Sequence, residues 1–122
     1  SNGEHNCGME QSKRDIYERI YKFGIACIEY VRSFPDNLEA RIIAKQLIRS
    51  ATSIGANAQE GDGAETKAEF LHRFSISKKE AKETAYWLRV AQDVLRKPND
   101  ELRSEVHEII LIVSTIIIKV KK

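Results

Sequence analysis

Ile109-Ile110-Leu111-Ile112-Val113-Ser114-Thr115-Ile116-Ile117-Ile118 is apolar except for Ser114 and Thr115. As a helix this stretch is greasy on every side, and a small monomer can cover only one side of it. A bilayer span takes roughly 20 apolar residues, so the run is too short to cross a membrane, and its expected dry environment is another protein subunit. The stretch therefore points to an all-helical chain that assembles with itself.

Working outward, four segments carry apolar or small residues at alternating spacings of three and four, the seam of a helix packed at a shallow angle on its neighbours. The first seam is Ile16, Ile20, Phe23, Cys27, Tyr30 and Phe34; the second is Ala44, Leu47, Ala51, Ile54 and Ala58. The third is Phe70, Phe74, Ser77, Ala81, Thr84, Leu88, Ala91 and Leu95; the last is Leu102, Val106, Ile109, Val113, Ile116 and Val120. No strand pattern competes with them.

The boundaries agree with the seams. Ser12 with Asp15, and Thr66 with Glu69, have capping-box spacing. Pro35 and Pro98 stop the first and third helices, with Asp36 or Asn37 and Asn99 or Asp100 as the next N-caps, and Gly61 and Gly63 end the second. Connections of only about two to five residues force antiparallel neighbours, which predicts an up-down-up-down four-helix bundle over residues 12–122. Residues 1–11 read as a leader outside the domain, disordered or added before a native start at or near Met9.

The bulk numbers bound the function. With 20 basic and 18 acidic side chains the net charge is +2, so the surface is mixed; nucleic acid is permitted but not demanded. Cys7 and Cys27 form no CxxC pair, which suits a reducing cytoplasm. Glu69-Phe70-Leu71-His72 matches the Glu-x-x-His step of a di-iron bundle, but that site needs two copies, and only one is present. Gln59 to Glu65 is acidic and glycine-rich yet lacks the Lys-Ser/Thr of a P-loop and the alternating oxygen ligands of a calcium loop. The three histidines accompany no nucleophile or base constellation, so neither catalysis, metal nor cofactor is expected.

Two sets of residues remain as candidate sites. Along the second helix a polar strip of Gln46, Ser50, Ser53, Asn57 and Glu60 lies beside the small seam, a ligand site or, as its ordinary reading, groups satisfied across helices, for example Asn57 or Glu60 with Arg73 or Ser77. On the last helix Ile109, Val113 and Ile116 belong to the core, with Ile112 beside them. Leu111 and Ile118 lie opposite with His107 and Ser114, and Ile110 and Ile117 flank them. Ile110, Leu111, Ile117 and Ile118 are thus the expected subunit interface. Trp87 and Tyr86 adjoin the third seam, as core or subunit contacts or as stacking platforms for a base.

The stretch Ser50-Ala51-Thr52-Ser53-Ile54-Gly55-Ala56-Asn57-Ala58-Gln59-Glu60-Gly61, then Phe70, Phe74 and Ile76-Ser77-Lys78-Lys79-Glu80-Ala81-Lys82-Glu83-Thr84-Ala85-Tyr86-Trp87-Leu88, resembles the bacterial four-helix-bundle family called 23S rRNA intervening-sequence proteins. The likeness spans roughly residues 12 to 120, and its motif residues are Ser53, Asn57, Glu60, Gly61, Glu80, Glu83 and Trp87. Gln59 stands where the family more often has a small residue. The resemblance implies a cytoplasmic, ring-shaped homopentamer with no known enzymatic activity. It also implies a fold relationship to the accessory variability protein of diversity-generating retroelements, a basic pentamer that partners a reverse transcriptase and nucleic acid.

The expected function is therefore that of a non-enzymatic oligomeric adaptor. Either it binds RNA or DNA through basic residues that symmetry collects, with Arg41, Lys45, Arg49, Arg73, Lys78, Lys79 and Lys82 as candidates, or it is a scaffold that recruits a protein partner and no nucleic acid.

Overall fold

The computed structural model describes residues 2–122, with side chains from Ile16 onward. Four helices account for it: α1 (Asn2–Val31), α2 (Leu38–Asp62), α3 (Lys67–Leu95) and α4 (Asp100–Lys121). The capping pair expected at Ser12 and Asp15 lies outside the described side chains. At the other starts, Asn37 accepts from the Ala40 N–H at 2.9 Å and Asn99 from the Leu102 N–H at 3.0 Å. Thr66 accepts from the Glu69 N–H at 3.1 Å, and the Glu69 carboxylate turns back to the N–H of Glu65, one residue short of the usual capping-box partner. Arg96, in the left-handed region at φ 57°, turns the chain out of α3 ahead of Pro98.

Each helix packs on its neighbours in the chain, and α1 closes the ring on α4. The partners that meet across α2 and α3 fix their direction: Arg49 reaches Glu83, Thr84 reaches Ser50, Ser77 reaches Ile54 and Arg73 reaches Asn57. Moving forward on α2 means moving backward on α3, so the two are antiparallel. Arg19 on α1 grips Glu105 on α4 with two bonds of 2.7 Å, and the Tyr30 hydroxyl donates to the Lys97 carbonyl beyond α3.

The core lies along the expected seams. Ile16, Ile20, Phe23 and Cys27 are buried on α1; Leu47, Ala51, Ile54 and Ala58 on α2; Phe74, Ser77, Ala81, Thr84, Leu88 and Ala91 on α3. Burial pushes the Cys27 thiol up to about 12, so it packs as a neutral apolar group.

Three expectations need correction. On α4 the seam ends Val113, Ile117 rather than Val113, Ile116: Ile117 is only 7% exposed, while Ile116 is half-buried. A strict seven-residue repeat drifts about 20° per heptad on a straight helix, so one step of four replaces a step of three. The second seam begins at Ala40 and Ile43, ahead of half-buried Ala44. Gly61 does not end α2, which continues to Asp62; a Cβ there would lie 2.8 Å from two ring atoms of Phe74. Its lack of a side chain lets α3 approach, and Gly63, at φ −87°, caps the helix without left-handed backbone.

Candidate functional site

The polar strip of α2 is where the family-motif side chains gather. Ser50 is fully buried; its Oγ accepts from Thr84 Oγ1 at 2.9 Å and donates to the Leu47 carbonyl, while Ser77 Oγ donates to the Ile54 carbonyl at 2.9 Å. Small hydroxyls satisfied in pairs let two backbones lie close without leaving a polar orphan, and among the described residues no buried side-chain polar atom lacks a partner.

Outside that buried line run two ion-pair groups. Arg49 donates to Glu80 at 2.8 Å and also to Glu83, whose carboxylate accepts from the Trp87 indole N–H at 3.1 Å. Arg73 pairs with Glu60 at 2.7 Å and donates to Asn57 at 3.3 Å, and Asn57 in turn donates to the Ser53 carbonyl. Six of the motif residues, Ser53, Asn57, Glu60, Glu80, Glu83 and Trp87, thus lie in a lattice of two separate bonded groups that lock α2 to α3, and Gly61 provides the close approach at its end. The expected pairing of Asn57 and Glu60 with Arg73 is present. Ser77 goes to a backbone carbonyl instead.

This geometry divides the seven basic candidates. Arg41 pairs with Asp36 at 2.7 Å, and Arg49 and Arg73 are held by carboxylates as above. A guanidinium already facing carboxylates has little left for a phosphate. Lys45, Lys79 and Lys82 are exposed and Lys78 half-buried, and none makes an ion pair with another described residue. Spacing alone did not separate these groups, because Arg49 and Glu80 are 31 residues apart and meet only through the α2–α3 register.

The second candidate surface is the outer side of α4. Leu111 is 62% exposed and Ile118 57%, with half-buried Ile110 beside them; Ile117 has left this set for the core. Ser114 and Thr115 donate their hydroxyls to the Ile110 and Leu111 carbonyls, which leaves the stretch with almost no polar demand on a partner.

Among the described residues no three His, Cys, Asp or Glu side chains gather as a metal would require, and no helix is long and apolar enough to cross a membrane.

The comparisons with known proteins bear on this arrangement. No curated protein matches the chain. A crystal structure of a protein of unknown function from the S23 ribosomal protein family of Bacteroides thetaiotaomicron superposes with a TM-score of 0.79 at 26% identity, covering 86% of this chain and 96% of that one. The family model described as 23S rRNA-intervening sequence protein matches residues 12–117, which takes in the whole α2–α3 lattice. With nearly the entire bundle matched and the motif side chains bonded to one another, the chain belongs to the 23S rRNA-intervening sequence protein family.

Proposed function

We propose that this protein is a non-enzymatic, self-associating bundle of the cytoplasm that acts as a protein-interaction scaffold, its copies joined through the outer face of α4. The observation that carries this reading is the pair Leu111 and Ile118, exposed on the side of α4 away from its own core. Two large aliphatic side chains two turns apart, framed by internally satisfied hydroxyls, form a surface that gains by leaving water, about 1.5–3 kcal/mol for each side chain fully buried. A ring of five copies is the stoichiometry the family resemblance implies. Leu111→Glu with Ile118→Glu is expected to give monomers with unchanged helicity, read by light scattering and circular dichroism. An unchanged mass, or a monomeric parent, overturns it.

A second reading is supported by the lysines. Lys78, Lys79 and Lys82, with Lys45 on α2, are charges free of described carboxylate partners, and a ring multiplies them. That reading predicts binding of structured rRNA or random duplex at low salt in an anisotropy titration, with affinity falling steeply as salt rises. A salt slope near zero removes it.

A further inference from the structure

Resting on the self-association just proposed, we propose that the outer face of α4 docks in the groove between α1 and α2 of a second copy of this chain, head to tail.

The groove is an open furrow of about 850 Å³ running along α1 and α2. Its floor is made small by Gly24, Ala51, Gly55 and Ala56, and its α1 wall carries Tyr21, 62% exposed, and Ile25. The described residues thus leave uncovered both a ridge of large aliphatics on α4 and a furrow of small residues with an aromatic wall. Ridge and furrow are complementary shapes, and a helix laid in such a groove inserts its branched side chains where the floor has none.

Charge gives the same pairing and sets its direction. The acidic residues Asp100, Glu101 and Glu108 occupy the first half of α4, and Lys119, Lys121 and Lys122 its end. Along α2 the order is reversed: toward the start Arg41 is paired with Asp36 and Glu39 stands beside it, which leaves Lys45 as the charge on this side, and Asp62 is at the end, where Glu18 of α1 also lines the groove. The ends of the two helices are at one end of the bundle, since Asp62 and Val120 line the same small cavity there. Copies standing side by side, rotated about an axis parallel to the bundle, therefore bring lysines onto carboxylates at one end and carboxylates toward Lys45 at the other. In that register Leu111 falls near the level of Thr52, and Ile118 near that of Gln59, with Ala56 between them. An α4–α4 contact related by such a rotation would instead set like charges together.

Because the two surfaces differ, the contact is heterologous: it closes into a ring when the rotation allows and otherwise propagates.

The test compares the parent with the Leu111→Glu, Ile118→Glu chain and three further variants of the full chain by light scattering across concentration, with circular dichroism to check folding. Thr52→Arg with Ala56→Arg fills the groove at two exposed positions and is expected to yield folded monomers. Lys119→Glu with Lys121→Glu is expected to raise the concentration at which the assembly dissociates by about tenfold, and adding Glu18→Lys and Asp62→Lys to that chain is expected to restore the parent value. If the groove variant keeps the parent mass while Leu111→Glu with Ile118→Glu dissociates, self-association stands and the groove is not its partner. Failure of the reversed charges to restore assembly also overturns the proposal. A monomeric parent overturns both readings together.

Discussion

The two flanks of α2 start from the same material and end differently. Both are rich in Gly, Ala, Ser and Thr, yet the flank toward α3 is filled and that toward α1 is furrowed. On the α3 side Phe74 fits against Gly61, Thr84 against Ser50 and Arg73 against Asn57 and Glu60. On the α1 side Gly24 lies over Ala51 and Thr52, small against small, and the space above them stays open. A stripe of small residues therefore specifies close approach only where the neighbour supplies bulk or bonds; where both sides are small, it makes a groove. The lattice that marks the family lies on the filled flank, and the surface available to a partner lies on the other.

The largest difference should appear on truncating the aromatics of the two flanks. Phe74 is buried and stacked on Phe70 at a centroid distance of 4.3 Å, so Phe74→Ala is expected to cost about 3–5 kcal/mol in urea unfolding. Tyr21→Ala, on the exposed groove wall, is expected to change monomer stability by no more than about 0.5 kcal/mol while weakening assembly. Comparable losses from the two would mean that the flanks are packed alike.

A smaller and more pointed difference concerns the glycines. At Gly61 a Cβ would press on the Phe74 ring at 2.8 Å, whereas at Gly24 the nearest atom, the Ala51 carbonyl oxygen, is 3.6 Å away, an ordinary contact. Gly61→Ala is expected to cost about 1–2 kcal/mol despite the better helix propensity of alanine, through the overpacking penalty. Gly24→Ala should instead stabilise by up to about 1 kcal/mol. In a Phe74→Ala background the sign at Gly61 should reverse, because the ring it yields to is gone. Additive effects of those two substitutions in denaturant melts would break the account of the filled flank.

How far these flanks were legible in the sequence follows from the same residues. The period of three and four placed Leu47, Ala51, Ile54 and Ala58 in the core, because burial along one helix is a local property of spacing. The pairing of Arg73 with Asn57 and Glu60 was also within reach, since a short turn brings the end of α2 beside the start of α3. Arg49 with Glu80 and Glu83 was not: an arginine on a polar strip reads equally well as a phosphate ligand until the register of two helices is known. Ile117 was misplaced by one residue through the heptad drift, and Gly61 read as a stop signal because its partner, the Phe74 ring, is distant in sequence. The groove needs Gly24 against Ala51 and Thr52, and Gly55 against Ile20 one turn away, a meeting of two helices which no single-helix pattern encodes.

The smallest expected effect tests the chemistry at the acidic end of the groove. The Tyr17 hydroxyl is pushed up to about 12, first by burial and second by the charge of neighbouring Asp62. The folded state thus favours neutral tyrosine, so this group's contribution to stability is complete below pH 10.0, its ordinary value, and is lost as the pH climbs toward 12. Asp62→Asn removes the second cause and leaves the first, so Tyr17 should ionise at lower pH than in the parent and still above 10.0. Ring NMR signals of labelled tyrosine, assigned by Tyr17→Phe, would follow the shift. The hydroxyls facing α3, Ser77 and Thr84, bond to protein acceptors and carry no charge to titrate, so a high-pH response at Tyr17 that moves with Asp62→Asn would mark the α1 flank as the one with an open, electrostatically active edge. A parent Tyr17 that titrates at 10.0 would show its hydroxyl solvated and out of reach of Asp62. The carboxylate proposed to receive the lysines of the next copy would then be placed wrongly.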